Sequence, residues 1–282
     1  LRWVNFRKTN VSRIKLIGYL QLYVPSIAAA IFGGCSGAAA QEHADLAKQL
    51  SNPVASLVSV PFQLNYDDGI GTGNNGNRTT LNIQPVVPFT LNERWNLISR
   101  TIIPLSYQSD VVSNSSQSGV GDIVQSFFFS PSQVEIGGLI WGVGPVLLLP
   151  TGETGLTQDQ FAAGLTGVVL KQQGPWTVGA LANHLWSVGG TSGKTKIDAT
   201  FFQPFVSYTT ADAWTFALNS EATYDWERKE SSVPINFTVT KLTRIGKRPV
   251  SLGGGVRYWA KSSSTGPEGW GARLIATFLF PK

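Results

Sequence analysis

The chain has 282 residues, a formal charge of +5, and only 14% charged against 42% hydrophobic residues. That balance excludes a disordered chain, and the length allows one large domain or two small ones. The charge does not describe a basic protein: the first 40 residues hold five of the 22 basic residues (Arg2, Arg7, Lys8, Arg13, Lys15) and no acidic one, so the remainder balances at 17 against 17.

The N-terminus reads as an export signal. A basic, acid-free stretch is followed by an apolar stretch over 16–32 and small residues ending at Ala38, Ala39 and Ala40 before Gln41. These are the three parts of a secretory signal peptide, 1–40, with cleavage after Ala40. An uncleaved anchor is the alternative, and Cys35 after Gly33 and Gly34 loosely fits a lipid attachment site. Cleavage would remove the single cysteine, which suits an oxidising periplasm. Residues 41–53 then form a short periplasmic segment with a possible helical turn around 44–50.

From 54 to 282 no run of about 18 apolar residues occurs, so no spanning helix is expected. Instead, alternating or apolar stretches rich in Val, Ile, Phe, Thr and Trp recur near 54–66, 78–89, 95–107, 119–130, 136–149, 161–172, 176–188, 196–209, 213–226, 231–242, 249–260 and 269–280. They predict about twelve strands. Short connections (90–94, 131–135, 173–175, 210–212, 243–248) alternate with mostly longer, Gly/Ser/Asn-rich ones (67–77, 108–118, 150–160, 189–195, 261–268), 227–230 being the shortest of the second set. Short turns on one side and long loops on the other mark an all-β, antiparallel transmembrane β-barrel of the bacterial outer-membrane type. An even count puts both termini on the short-turn side.

Alternation supports this. Trp214, Phe216, Leu218, Ala222, Tyr224 and Trp226 share one face, opposite Thr215, Asn219, Glu221, Thr223 and Asp225. In lipid the apolar face must point outward and every backbone group must be paired, which a closed barrel achieves. Aromatic residues cluster at strand ends: Trp95, Trp176 and Trp214 after short turns, and Tyr66, Tyr107, Trp186, Tyr224 and Trp226 near long loops. They are the candidate aromatic girdle. Ordinary core aromatics are the alternative, and they account equally for Trp141, placed mid-strand. The last strand, with Leu274, Ala276, Phe278 and Phe280 on one face, looks like a signal for the barrel assembly machinery, although Pro281 and Lys282 follow it.

No catalytic, cofactor-binding or metal motif survives inspection. Gly71, Gly73 and Gly76 match the dinucleotide fingerprint by letter, but a strand follows where a helix is needed. Asp67 and Asp68 beside several Asn do not match an EF-hand loop. His43 and His184 are the two histidines; His184 and Ser187 lie three apart on one strand and face opposite sides, so they do not form a nucleophile–base pair. A structural histidine is expected. With the apolar faces outward, Arg100, Asp122, Glu221, Arg257 and Arg273 point into the lumen, Arg100 and Asp122 on neighbouring strands, Arg257 and Arg273 likewise. A charge on the lipid face near the midplane costs roughly 2–4 kcal/mol for Arg. These five are the candidate lumen-lining residues, read either as a selectivity constriction or as an ion-pair network that fills a narrow barrel.

Segments 81–89, 95–105, 119–131, 141–151, 170–176 and 267–271 resemble outer-membrane proteins of the "MetA-pathway of phenol degradation" family, often labelled transporter or, misleadingly, neuromedin U. The resemblance covers most of 52–282. It implies a barrel with a transport role for aromatic or hydrophobic compounds and brings no site residues. The expectation is a passive channel for small solutes, surrounded by outer-membrane lipid and lipopolysaccharide, with no cofactor and no nucleic-acid partner. The rivals are a surface-interaction barrel with a closed lumen and, last, an outer-membrane hydrolase.

Overall fold

The computed structural model describes residues 37–111, 115–134 and 137–281. The basic stretch, the apolar stretch and Cys35 lie outside them. A helix, α1 (Gly37–Gln49), is followed by fifteen strands: β1 (Val58–Ile70), β2 (Gly76–Ile83), β3 (Val86–Thr90), β4 (Trp95–Ser109), β5 (Ser116–Val120), β6 (Ile123–Pro131), β7 (Leu139–Leu149), β8 (Gln160–Gln173), β9 (Trp176–Gly190), β10 (Asp198–Thr209), β11 (Trp214–Ser220), β12 (Ala222–Asp225), β13 (Glu230–Ile245), β14 (Arg248–Lys261) and β15 (Gly269–Phe280).

These make twelve staves, because three staves are interrupted. β2 and β3 share one register on β4, and the break falls at Pro85, which has no N–H to give the ladder. β11 and β12 continue one another across Glu221. Between β5 and β6 the register on β4 slips by one residue, from Leu105↔Val120 to Ile102↔Val124. Gly121 and Asp122 therefore sit in a bulge. Every stave pairs antiparallel with its chain neighbours, and β1 pairs β15 from Val58↔Phe280 to Tyr66↔Ala272, which closes the barrel. β1 begins and β15 ends at the short-turn rim. The twelve staves, their order and the closed antiparallel barrel are as the sequence predicts.

The alternation is inside-out relative to a soluble protein. Leu165 and Leu274 are 68% and 62% exposed, whereas Arg257 and Arg273 are 6% and 2% exposed. Water would reverse this arrangement; lipid outside and a polar lumen favour it. The aromatics expected as a girdle lie towards the strand ends, most of them exposed on the outer face. Trp95, Trp176 and Trp214 open β4, β9 and β11 at the short-turn rim, while Tyr66, Tyr107, Trp186, Tyr224 and Trp226 lie towards the long-loop rim. Trp176 and Trp186 are ten residues apart, as are Trp214 and Tyr224. Ten residues span about 33 Å along a strand, or about 25 Å of height at a 40° tilt, the thickness of the apolar band of such barrels.

Two expectations are corrected. β1 starts at Val58, not 54, because 54–57 belong to the segment that seals the barrel end. Trp141 is not mid-strand: β7 starts at Leu139, and Trp141 faces outward near the rim, edge-on to Trp95 at 5.8 Å.

Candidate functional site

The lumen has a floor. Leu46 and Ala47 of α1 pack with Leu57 against Ala213, Leu242 and Leu279 at the short-turn end. The chain then crosses the barrel, and Val54 is buried among inward residues Ile98, Phe128, Val168, Leu170 and Leu181. Polar contacts pin the crossing: Gln172 donates to Lys48 O at 2.9 Å, and Asn96 donates to Ser56 Oγ at 3.2 Å. Residues of the 41–53 segment thus pack into the short-turn end of the barrel.

Higher up, the lumen is crossed by a belt of charge. Arg273 makes a two-pronged contact to Glu221, at 2.9 and 2.8 Å, and donates through Nε to Asn65 at 2.7 Å. Arg257 pairs with Asp67 at 3.2 Å and approaches Glu221 at 3.8 Å. Trp259 donates to the other Asp67 oxygen at 2.9 Å, and the Arg257 guanidinium lies 5.0 Å from its ring centre. Two more inward arginines flank the belt without a carboxylate in ion-pair contact among the described residues: Arg78, donating to Gln108, and Arg100, donating to Gln84, both at 2.9 Å. The group holds four guanidiniums against two carboxylates.

The structure therefore brings Arg257, Arg273 and Glu221 together and places Arg100 below them. Asp122 does not join. It lies in the β5–β6 bulge, where its carboxylate accepts from Gly152 N at 3.0 Å and Gln158 N at 2.7 Å, so it holds the 150–159 loop instead of facing Arg100. Residue counting missed the inserted residue that turns Asp122 away. It also missed Asp67, because 67–77 was read as loop; β1 runs on to Ile70, and Asp67 keeps the inward parity of Asn65. Gly71–Gly76 forms the β1–β2 turn, with no helix after it. Asp67 and Asp68 are not gathered around a common point, and no cluster of three metal-ligating side chains occurs among the described residues.

The belt separates two cavities. Above it, an open polar vestibule of about 440 Å³ is lined by Asp67, Arg78, Glu221, Arg257 and Trp259. Between belt and floor lies a chamber of about 280 Å³, lined by Leu57, Val86, Arg100, Gln203, Phe205, Asn219 and Ile275 among others. The 150–159 loop narrows the mouth: Gln108 donates to Gly155 O at 3.3 Å from inside the wall.

On the outer wall, His184 does find a hydroxyl, though not that of Ser187, which accepts from Ile197 N at 2.6 Å. His184 Nδ1 lies 2.7 Å from Thr200 Oγ1, which also accepts from Trp226 Nε1 at 2.8 Å. Asp198 approaches His184 Nε2 at 3.1 Å but off the line of a hydrogen bond. With the Trp186 ring tilted against the imidazole, centroids 4.0 Å apart, this is a polar tie among outward aromatics at the long-loop rim. Sequence missed further outward aromatics: Tyr208 against Trp176, and Tyr258 against Trp270, each at 4.9 Å.

No family model matches the chain, and no curated protein matches it. Solved structures do. An outer membrane channel from Pseudomonas putida F1 superposes with a TM-score of 0.61 at 16% identity, over 79% of this chain and 94% of that one. The fold is shared. Outer membrane phospholipase A from Escherichia coli aligns at a TM-score of 0.46 and 11% identity, over 80% and 99%.

Proposed function

We propose that this chain is an outer-membrane channel that passes small solutes passively along the barrel axis. The observation that carries the reading is the stacking of a vestibule, an arginine-rich belt and a chamber inside a wall whose outer face is apolar. Buried charge in lipid surroundings marks a solute path more often than a scaffold. Diameter grows with strand number, so twelve staves make a narrow pore, and side chains occupy much of it. Export through a signal in 1–40, insertion by the barrel assembly machinery, and lipopolysaccharide and lipid around the aromatic rings complete the reading. The resemblance to the MetA-pathway family adds aromatic or hydrophobic compounds as cargo.

A second reading, a closed barrel that displays its loops, is favoured by one feature: the floor of 46–57 seals the short-turn end with buried apolar residues. In planar bilayers the channel reading gives discrete conductance steps from purified protein, enlarged when the floor is loosened by Val54→Asp. Silence from both proteins, with the barrel folded, supports the closed scaffold and rejects the channel.

A further inference from the structure

The chamber between belt and floor has an uneven lining. Among the residues that bound it, Arg100 is the one charged side chain, and there is no Asp or Glu. Arg257 and Arg273 each hold a carboxylate within 4 Å, while Arg100 has an amide oxygen, that of Gln84. Glu221 is engaged by Arg273 and Arg257. A guanidinium carries five donors and stays charged at any physiological pH, so Arg100 is left with a charge and donor capacity facing a cavity. Glu221 acts on Arg100 only through space, from beyond ion-pair contact. A buried cation with no carboxylate in contact is costly, and a carboxylate meeting a guanidinium with two parallel hydrogen bonds is the geometry that relieves it. The rest of the lining is mixed, with Gln203, Asn219, Thr240 and Ser251 among its polar side chains and an apolar part besides. Leu57 and Val86 near the floor, with Phe205 and Ile275, give apolar surface on which an anion of purely inorganic type has nothing to pack.

We propose that the chamber is a binding site for a small organic monocarboxylate, its carboxylate on Arg100 and Gln84 and its short apolar body against Phe205, Ile275 and Leu57. This names a substrate class for the channel and rests on that reading for its transport meaning. The cavity of about 280 Å³ takes a compact acid and excludes a long-chain fatty acid or a phospholipid. Arg78, which flanks the belt, adds a third guanidinium against the two carboxylates above the chamber and favours the passage of anions toward it.

The test measures binding on detergent-solubilised full chain, so it is independent of conductance. Hexanoate, 1-hexanol and chloride are titrated at constant ionic strength, with thermal unfolding and calorimetry as readouts. Hexanoate is expected to bind and to raise the unfolding temperature with concentration. Hexanol and chloride are expected to do so at least tenfold more weakly. Arg100→Gln should lose hexanoate at least tenfold, Arg100→Lys should recover part of it, and Arg228→Gln, at an exposed turn outside the lumen, should leave it unchanged. Should Arg100→Gln not fold, Phe205→Ala carries the test and should weaken hexanoate without altering chloride. Equal protection by chloride or hexanol, or hexanoate binding indifferent to Arg100 and Phe205, overturns the site. A silent bilayer with intact hexanoate binding instead removes the channel and leaves the site.

Discussion

Arg273 and Arg78 both face the lumen, yet they stand in different electrostatic positions. Arg273 is 2% exposed and satisfies both oxygens of Glu221, so truncating it leaves a carboxylate whose remaining cationic contact, Arg257, is at 3.8 Å. Breaking such a pair by removing one partner costs about 3–5 kcal/mol, much of it from the charge left behind. Arg78 donates to a neutral amide, and its loss costs about 1 kcal/mol. Denaturant unfolding of Arg273→Ala and Arg78→Ala should therefore rank them in that order; equal costs would show that lumen water, not Arg273, satisfies Glu221. Glu221→Gln should likewise be milder than Glu221→Ala, because an amide still accepts one of the two Arg273 donors. Trp259→Phe removes the indole donor to Asp67 and should cost about 1 kcal/mol, detected in the same unfolding curves. Three of the five lumen residues found by strand parity meet in the belt. Arg100 stands below it, on Gln84, and Asp122 holds the 150–159 loop, since parity holds only while the ladder has no inserted residue, and nothing in its own side chain announces a bulge.

At the scale of elements, the floor and the wall obey different rules. The floor holds by apolar burial, so Leu46→Ala should remove about 2–5 kcal/mol of its packing and loosen it before the barrel itself yields. Limited proteolysis of the N-terminal segment should then speed up while the strands stay protected; unchanged cleavage would mean that the segment is anchored by its polar contacts, Lys48 with Gln172 and Ser56 with Asn96. The wall holds by pairing, and where neighbouring strands approach closely it needs glycine. A methyl group at Gly255 would overlap Phe237 O on the facing strand. Gly255→Ala should accordingly lower the yield of folded barrel, where an alanine at an outward position such as Val256 should not. Strand existence was legible because period-2 alternation and turn residues carry it. The floor was not, because a short amphipathic stretch of 41–57 has the same composition whether it hangs in water or fills a barrel end. What decides between the two is the closure of β1 on β15, a contact between the two ends of the chain.

For the molecule as a whole, the exposed leucines outside and the buried arginines inside fix what surrounds it and what fills it. The outward aromatics at the two strand ends are spaced near the height of a bilayer's apolar band, and the short-turn end, where β1 begins and β15 ends, is also the sealed end. The belt carries four guanidiniums against two carboxylates, so the conducting path should prefer anions, and more so at low salt, where screening is weak. Replacing Arg100 and Arg78 together by Gln should remove the preference while leaving the paired belt in place. The most direct measurement is the reversal potential of the full chain in a planar bilayer under a potassium chloride gradient. Resolvable steps are expected, with a reversal potential that has the sign of chloride preference and moves towards zero in Arg78→Gln/Arg100→Gln. Steps with a cation preference, or no steps from either protein even when Val54→Asp loosens the floor, would contradict it.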